Sequence, residues 1–390
     1  MRLERNWGRL GMKCKRYALS ELAIIKYGKN QKKVLSEDGN IPIYGTGGLM
    51  GYATTALYDK PSVLIGRKGT IGKVKYVEHP FWTVDTLFYT IINTDIVIPK
   101  YLYYVMSLID LNNYNEGTTI PSLRTETLNR LEFDIPSIEE QEIVLSCLNP
   151  IDKKIELNNA INNNLEKQAV LLFKKWFIEF DNSSKNMLET RFGLVPESFK
   201  LLKNGELPLV VTDYVANGSF ASLKANVTLY QEPNYAYFIR NTDLKSGTFE
   251  VFVDEHSYNF LSKSTLYGGE IIISNVGDVG SVFLCPKLDK PMTLGNNIIM
   301  LRPEQENLRY YLYIWFKWLY GQSLIQGIKG GSAQPKFNKT DFKNLPIFLP
   351  PDDLLEQFHQ IVKPMFELIN ENNTENQALT RTRDLSLIHI

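Results

Sequence analysis

The chain repeats itself at a fixed distance, and this repeat constrains the fold more than any other feature. Three prolines recur 214 residues later in the sequence, as the pairs Pro121/Pro335, Pro136/Pro350 and Pro150/Pro364. Short apolar segments, LEFDIP and LPIFLP, end at the second proline of each copy. Self-similarity at one offset indicates a structural unit present twice, and 390 residues are too many for one ordinary core. We therefore predict two copies of one unit, each a β-rich globular part followed by a helical part.

The helical part of each copy has seam residues at alternating steps of four and three, the heptad period of a helix that packs along another helix. Two asparagines recur at matching seam positions in both copies, and polar seam residues fix register and partner in coiled coils. An internal twofold axis requires the two helices to pair antiparallel. The predicted seam is Val144, Leu148, Ile155, Asn158, Asn162, Leu165 and Leu172 against Phe358, Val362, Ile369, Asn372, Asn376 and Leu379.

Two points about the helices stay open at this stage. Each helix could instead pack only on its own globular part. Pro150 and Pro364 should either kink their helices or begin them after a short leading helix. The predicted fold class is mixed α+β, with two β-rich globular domains separated by two long helices that form an antiparallel coiled coil. The predicted boundaries are an N-terminal extension at 1–11, domains at 12–136 and 183–350, and helices at 137–182 and 351–390.

Composition indicates a globular protein of balanced charge. Formal net charge is zero and 44% of residues are hydrophobic, no apolar run reaches membrane-spanning length, and the N-terminus lacks the apolar stretch of a signal peptide. Three distant cysteines and four scattered histidines form no disulfide framework or metal motif. We therefore expect a cytoplasmic protein without a metal. Residues 12–79 carry twelve basic and five acidic side chains, which favours contact with a polyanion or else a solvated lysine-rich surface.

The stretch PSVLIGRKGTIGKV (61–74) is similar to a phosphate-binding loop but lacks its spacing. Arg67 stands where such a loop needs its first glycine, and Val74 stands where it needs Ser or Thr. The following β-branched and aromatic residues favour a strand. We predict a strand, a turn in which Gly69 and Gly72 supply unusual backbone angles, and a returning strand. The second copy has NVGDVGSV (275–282) at the same place, without the lysine.

Two similar units and a pair of helices imitate a homodimer, and DNA-binding dimers use such symmetry to place two reading units on two half-sites. Helices of ~35 residues reach roughly 50 Å, which is enough to separate half-sites one DNA turn of ~34 Å apart. The units differ in their polar loops, so two different half-sequences would be read. Arg and Lys suit guanine edges, and Asn and Gln suit adenine edges.

The candidate DNA-binding residues mostly lie on or beside glycine-bearing turns. For Asn296 and Asn297 the alternative is that they only shape the turn after Gly295. In the first unit the candidates are Tyr44, Thr46, Tyr52, Arg67, Lys68, Thr70, Lys73, Lys75 and Arg124, and in the second they are Arg240, Asn275, Asn296, Asn297, Lys329, Ser332, Gln334 and Lys336.

These motifs together resemble the specificity subunit of a Type I restriction-modification system. The resemblance runs from about Met12 to Asp384 and includes IPIYGTGGLMGYATTALYDK, IPSLRTETLNRLEFDIPSIEEQEIV and LNPIDKKIELNNAINNNLEKQAVLLFKKWFIEFD. It implies two target-recognition domains, an antiparallel coiled coil, and a bipartite DNA target with an unread spacer. Compared with the family, the chain stops early after ENQALTRTRD. We therefore expect the second helix to be short or altered and to weaken the docking of one modification subunit.

The resemblance also implies partners and cofactors. The partners would be double-stranded DNA, two modification subunits that hold S-adenosylmethionine, and restriction subunits that hold ATP and Mg²⁺. This chain would itself be non-catalytic and hold no cofactor, in agreement with the absence of an Asn/Asp-Pro-Pro-aromatic methyltransferase motif from the sequence. Two alternatives remain at this stage: a stand-alone DNA-modifying or DNA-cleaving enzyme with a divergent active site, and a coiled-coil adaptor that does not bind DNA.

Overall fold

The computed structural model describes residues 13–180, 186–190, 193–331 and 334–389. The predicted extension at 1–11 lies outside them. The chain forms two compact units, Met1–Asn158 with Thr374–Ile390, and Asn159–Asn373. Each unit therefore contains one globular part and a portion of each long helix.

The first globular part is mostly antiparallel sheet. Its largest sheet has the strand order β2-β8-β5-β6, a second has the order β4-β3-β7, and β1 pairs with β9. Every residue of β5, SVLIG, is buried, which explains the apolar run VLIG. The hydroxyl of Ser62, the polar residue of this strand, donates to the Thr90 carbonyl at 2.8 Å. The elements are β1 Lys15–Ala18, α1 Leu19–Leu22, β2 Ala23–Tyr27, β3 Ile41–Gly45, β4 Gly48–Ala53, β5 Ser62–Gly66, β6 Val74–Val77, β7 Trp82–Thr83, β8 Leu87–Ile92, α2 Pro99–Ser107, α3 Thr125–Asn129, β9 Glu132–Ile135 and the long helix α4 Ile138–Phe177.

The second globular part repeats this plan. Its four-stranded sheet has the order β13-β21-β18-β19, a five-stranded sheet has the order β14-β16-β15-β20-β17, and β12 pairs with β22. The elements are β10 Met187–Thr190, β11 Gly193–Pro196, β12 Lys200–Lys203, β13 Leu209–Asp213, α5 Phe220–Asn226, β14 Leu229–Tyr230, β15 Ala236–Ile239, α6 Asn241–Ser246, β16 Phe252–Val253, α7 Glu255–Phe260, β17 Thr265–Leu266, β18 Ile271–Ser274, β19 Val282–Leu284, β20 Met292–Leu294, β21 Ile298–Pro303, α8 Asn307–Lys317, α9 Leu319–Gly327, α10 Lys339–Lys343, β22 Pro346–Leu349 and α11 Asp352–His389.

The four-stranded sheets and the pairs β1-β9 and β12-β22 correspond strand for strand, whereas the second sheets have three and five strands. The prediction of a repeated β-rich unit is confirmed. In both units a central buried strand, β5 or β18, pairs antiparallel with the strand that follows the glycine turn. In both, a parallel pair (β3 with β7, or β15 with β20) belongs to the second sheet. The units differ in the element that follows the first strand of this parallel pair. Strand β3 turns back as a hairpin into β4, whereas β15 leads into helix α6.

Helices α4 and α11 pair antiparallel, as predicted. In the second unit Asn372 Nδ2 donates to Asn162 Oδ1 at 2.8 Å, and the Phe358 ring lies 6.1 Å from the Phe173 ring. Residue numbers therefore rise along α4 while they fall along α11. The first unit shows the same direction, because Asp152 contacts Arg383 and Asn158 Nδ2 donates to Asn376 Oδ1 at 2.9 Å.

No predicted seam residue is exposed. Six of them are buried, namely Val144, Leu148, Asn158, Phe358, Val362 and Asn372, and seven are half-buried, namely Ile155, Asn162, Leu165, Leu172, Ile369, Asn376 and Leu379. Near the end of α4, Phe173 and Phe177 are more buried than the predicted Leu172. The second globular part packs on this segment, so the helix face that carries the two phenylalanines lies in its core.

One of the two possibilities for the prolines is excluded. Pro150 and Pro364 begin neither helix, since both lie inside continuous helices, where each removes one backbone donor. The expectation that the second helix is short is wrong, because α4 has 40 residues and α11 has 38. Near the end of α11, Leu387 is buried in the core of the first unit with Val144 and Leu148.

Each globular part holds α4 through a tyrosine and a carboxylate. In the first unit Tyr104 Oη on α2 donates to Asp152 Oδ2 at 2.5 Å, and Lys100 also contacts this carboxylate. In the second unit Tyr313 Oη on α8 donates to Glu166 Oε1 at 2.6 Å. Burial raises the pKa of both phenols, so they remain donors at neutral pH. Among the described residues, none of the helices combines the length and apolar character needed to cross a bilayer.

The seam should carry much of the stability of the second unit. Phe358 is fully buried against Trp176 and Phe177, so Phe358→Ala leaves a cavity and should lower the free energy of unfolding by about 3–5 kcal/mol. Leu368→Ala, at an exposed position on the same helix, should change it by no more than about 0.5 kcal/mol. Urea unfolding of both variants measures the difference, and equal effects would contradict the packing described.

Candidate nucleic-acid interface

A glycine turn joins β5 to β6 in the first unit. Gly69 has a φ of +86°, which glycine adopts without the strain a side chain would cause. Its N–H donates to the Pro121 carbonyl at 2.9 Å, and the Leu123 N–H donates to the Arg67 carbonyl at 2.9 Å. The turn is therefore fixed by backbone bonds to the segment around Pro121.

The second unit builds the same frame between β18 and β19. Gly277 has a φ of +76°, its N–H donates to the Pro335 carbonyl at 2.9 Å, and the Phe337 N–H donates to the Asn275 carbonyl at 3.0 Å. Pro335 is the repeat of Pro121. In both units this proline therefore lies in the segment that supports the turn. Because the support comes from backbone hydrogen bonds, the exposed side chains of the turn can differ between the units.

The expectation for Gly72 is wrong in its physical reason. Gly72 does not have a positive φ; a Cβ there would lie 2.3 Å from Nδ2 of Asn112, so a side chain at this position would require the Asn112 amide to move. Its counterpart Gly280 does have a positive φ, +97°. The turn in 61–74 is followed by a strand that pairs back on β5, not by the helix N-terminus of a phosphate-binding loop.

The basic side chains at and beside the first turn differ in their surroundings. Lys68, Thr70 and Lys73 are exposed. The Arg67 guanidinium donates to the Asp85 carbonyl at 2.9 Å. Lys75 is also exposed, but its Nζ lies 3.7 Å from the centre of the Tyr44 ring, and partial desolvation of the amine there lowers its pKa.

The other candidates in the first unit vary in access. Tyr44 is only 8% exposed and its hydroxyl lies 3.1 Å from Nε2 of His79, so it supports Lys75 and is not available as a reader. Thr46 is half-buried at the tip of the β3–β4 hairpin, and Tyr52 is exposed on β4. Arg124 is exposed and pairs with Glu116 at 3.1 Å.

In the second unit the asparagines have different surroundings. Asn296 and Asn297 are exposed, and Asn297 has a φ of +64°, so its role as a turn former is real. Its carbonyl accepts from the Asn275 N–H at 3.1 Å. Asn275 is half-buried and its Nδ2 donates to the Phe337 carbonyl at 3.3 Å. The structure thus places Asn275 in the turn's internal support.

The remaining second-unit candidates are exposed lysines, a glutamine and a paired arginine. Lys329, Gln334 and Lys336 are exposed on the segment that supports the turn. Arg240 forms several hydrogen bonds with Asp243, the shortest 2.6 Å, so its charge is already neutralised. Ser332 lies outside the described residues.

The structure adds residues that the sequence did not single out. Lys245 on α6 pairs with Asp278 of the second turn at 2.5 Å, and Gln322 on α9 donates to the Gly280 carbonyl at 2.8 Å. No glycine or heptad pattern marks these contacts, because they join segments distant in sequence. In the part of the chain that is described, no group of three or more His, Cys, Asp or Glu side chains could hold a metal ion.

Comparison with known proteins identifies the family. The family model described as "Type I restriction modification DNA specificity domain" matches residues 13–167 and again 212–381. The chain belongs to this family. It is a DNA-specificity subunit of a Type I restriction-modification system and not a catalytic one, so neither alternative proposed from the sequence, the stand-alone enzyme or the adaptor without DNA binding, is retained.

Relatives of this specificity family match over most of the chain. The Type I restriction enzyme MjaIX specificity subunit of Methanocaldococcus jannaschii is 26% identical and covers 85% of this chain and 77% of its own length. The HindI specificity subunit of Haemophilus influenzae is 24% identical, with 81% and 82% covered. The crystal structure of an S subunit from M. genitalium covers 100% of this chain and 97% of its own, with a TM-score of 0.52 and 16% identity, which shows a shared fold.

Lys68 and Lys73 are the exposed basic residues of the first turn. If they contact phosphate, Lys68→Ala and Lys73→Ala should each weaken DNA binding and reduce the slope of log K against log salt by about 1. If they read bases, the penalty for one mismatched base pair, about 1–3 kcal/mol, should disappear instead. Lys60→Ala is the control, because Lys60 is exposed just before β5, at its opposite end. Unchanged affinity and selectivity in both variants would remove this patch from the interface.

Proposed function

We propose that each unit of this specificity subunit reads one half of a bipartite DNA target with the surface around its glycine turn. The observation that carries the proposal is the shared frame of the two turns. Gly69 with Pro121 and Gly277 with Pro335 form the same backbone hydrogen bond, while the side chains around them differ. A constant frame with variable side chains suits two readers of different sequences.

The chemistry of each surface supports a different mode of contact. The first turn offers the free ammonium groups of Lys68 and Lys73, which suit phosphates or guanine. The second offers the amides of Asn296 and Gln334, which suit adenine, together with Lys336. All five side chains are exposed.

We propose that the partners of the chain are double-stranded DNA, two modification subunits and restriction subunits. The modification subunits would hold S-adenosylmethionine, and the restriction subunits would hold ATP and Mg²⁺. The outer faces of the long helices support two docking sites, because Leu171 and Leu385 occupy equivalent positions in the repeat and both are largely exposed. Since the ligand is cellular DNA, we expect the complex to act in the cytoplasm.

Exchange of one reader tests the division of the target. Residues 196–350 should be replaced by the matching segment of a relative, and the methylated sites mapped by sequencing host DNA. One half of the target should change and the other should stay the same. A change in both halves, or in neither, would contradict the model of one reader per half-site.

We also propose that the length of the two helices sets the unread spacer. Removal of one heptad from the middle of each helix preserves the phase of the seam and shortens each helix by roughly 10 Å. The preferred spacer should shorten by about three base pairs, at about 3.4 Å each, with both half-sequences unchanged. A spacer that stays the same in a folded, assembled complex would show that the partner subunits set the distance.

A further inference from the structure

The β3–β4 hairpin of the first unit has an unusual tip. Gly45 pairs with Gly48 across a loop of only two residues, Thr46 and Gly47. Gly48 has a φ of +112°, and no atom lies within 4 Å of where a Cβ on Gly47 or Gly48 would be. The tip is therefore narrow and largely backbone, a shape that can approach another molecule closely.

A β-bulge next to the tip changes the direction of its side chains. Tyr44 pairs with Leu49 and Ile43 pairs with Gly51, which leaves Met50 as the extra residue. Bulges re-aim side chains and often lie beside functional sites. Leu49 and Met50 are 53% and 55% exposed. Two large apolar side chains are thus held in solvent at the end of a two-stranded ribbon.

This apolar tip adjoins the basic glycine turn. Thr46 Oγ1 lies 3.8 Å from the position of a Cβ on Gly69, and Lys68 is the residue before Gly69. A cleft of about 420 Å³ lies at the tip, and its lining includes Leu49, Met50 and Val84 together with the acidic residue Asp85 and other polar groups. Positive charge for phosphate and an apolar surface for a base therefore occur side by side.

We propose that Leu49 and Met50 read the C5-methyl group of a thymine in the major groove. This inference rests on the proposed DNA-reading function of the first unit. A two-stranded ribbon fits the major groove, and apolar side chains contact the thymine methyl there. The second unit has helix α6, with polar Asn241 and Lys245, at the corresponding place, so it reads its half-site without this contact.

Replacement of thymine by deoxyuridine tests the proposal, because it removes only the methyl group. The target is first mapped from methylated host DNA, and the half-site of the first unit is assigned by the exchange of residues 196–350. Duplexes with one dU at a time are then bound to the specificity subunit assembled with its modification subunits. One position of that half-site should bind about three- to tenfold more weakly.

The variant Leu49→Ser/Met50→Ser should show no loss from the same dU substitution, since serine has no methyl group to contact the thymine methyl. Ile24→Ser is the matched control: Ile24 is 57% exposed on β2, at the opposite end of that strand from the turn, and should keep the full dU effect. Circular dichroism and thermal unfolding establish that both variants fold.

Three results would overturn the inference. They are specific binding with no dU-sensitive position in that half-site, a dU effect that persists in the double variant, and a double variant that fails to assemble with the modification subunits, which would make the tip a protein contact. If the apolar tip instead entered the minor groove as a wedge between base pairs, no position would be sensitive to dU, because the thymine methyl lies in the major groove. Absence of any sequence-specific binding would instead contradict the proposed function itself.

Discussion

The antiparallel contact between α4 and α11 is the interaction on which the rest of the structure depends. The core of the first unit includes Leu148 of α4 and Leu387 of α11, and the core of the second includes Phe173 and Phe358. Neither globular part completes its core from its own strands. Loss of the helix contact would therefore expose the interior of each unit, and the turns that each unit supports would lose their fixed position.

The fold was predictable to the extent that it depends on periodicity. The seam was visible because α4 and α11 keep one period over many turns. The repeat was visible because three pairs of prolines share one offset, and in one pair, Pro121 and Pro335, the carbonyl accepts from the glycine of the turn in each unit. The packing of Phe173 was not predictable, because it follows from the globular part that covers α4 and not from the period of the helix. The continuity of α4 through Pro150 was also left open by the sequence, because a proline can either kink a helix or lie in its first turn.

The position of the candidate interface was predictable from the sequence, but the burial and the bonding partners of each side chain were not. Glycine turns located the two surfaces, since Gly69 and Gly277 need a backbone angle that few other residues adopt. The sequence could not show that Tyr44 is turned into the core or that Arg240 is neutralised by Asp243. Those outcomes depend on which neighbours the fold brings within a few ångströms.

The asparagines of the helix pair have a consequence for how such chains diversify. Asn158 bonds Asn376 and Asn162 bonds Asn372, while Asn158 is the repeat of Asn372 and Asn162 is the repeat of Asn376. Each bond thus joins an early amide of one helix to a late amide of the other, so the pattern of amides is self-complementary. A duplicated segment with this pattern matches its own copy, and the loops it carries can then change without altering the amide pairs that set the register.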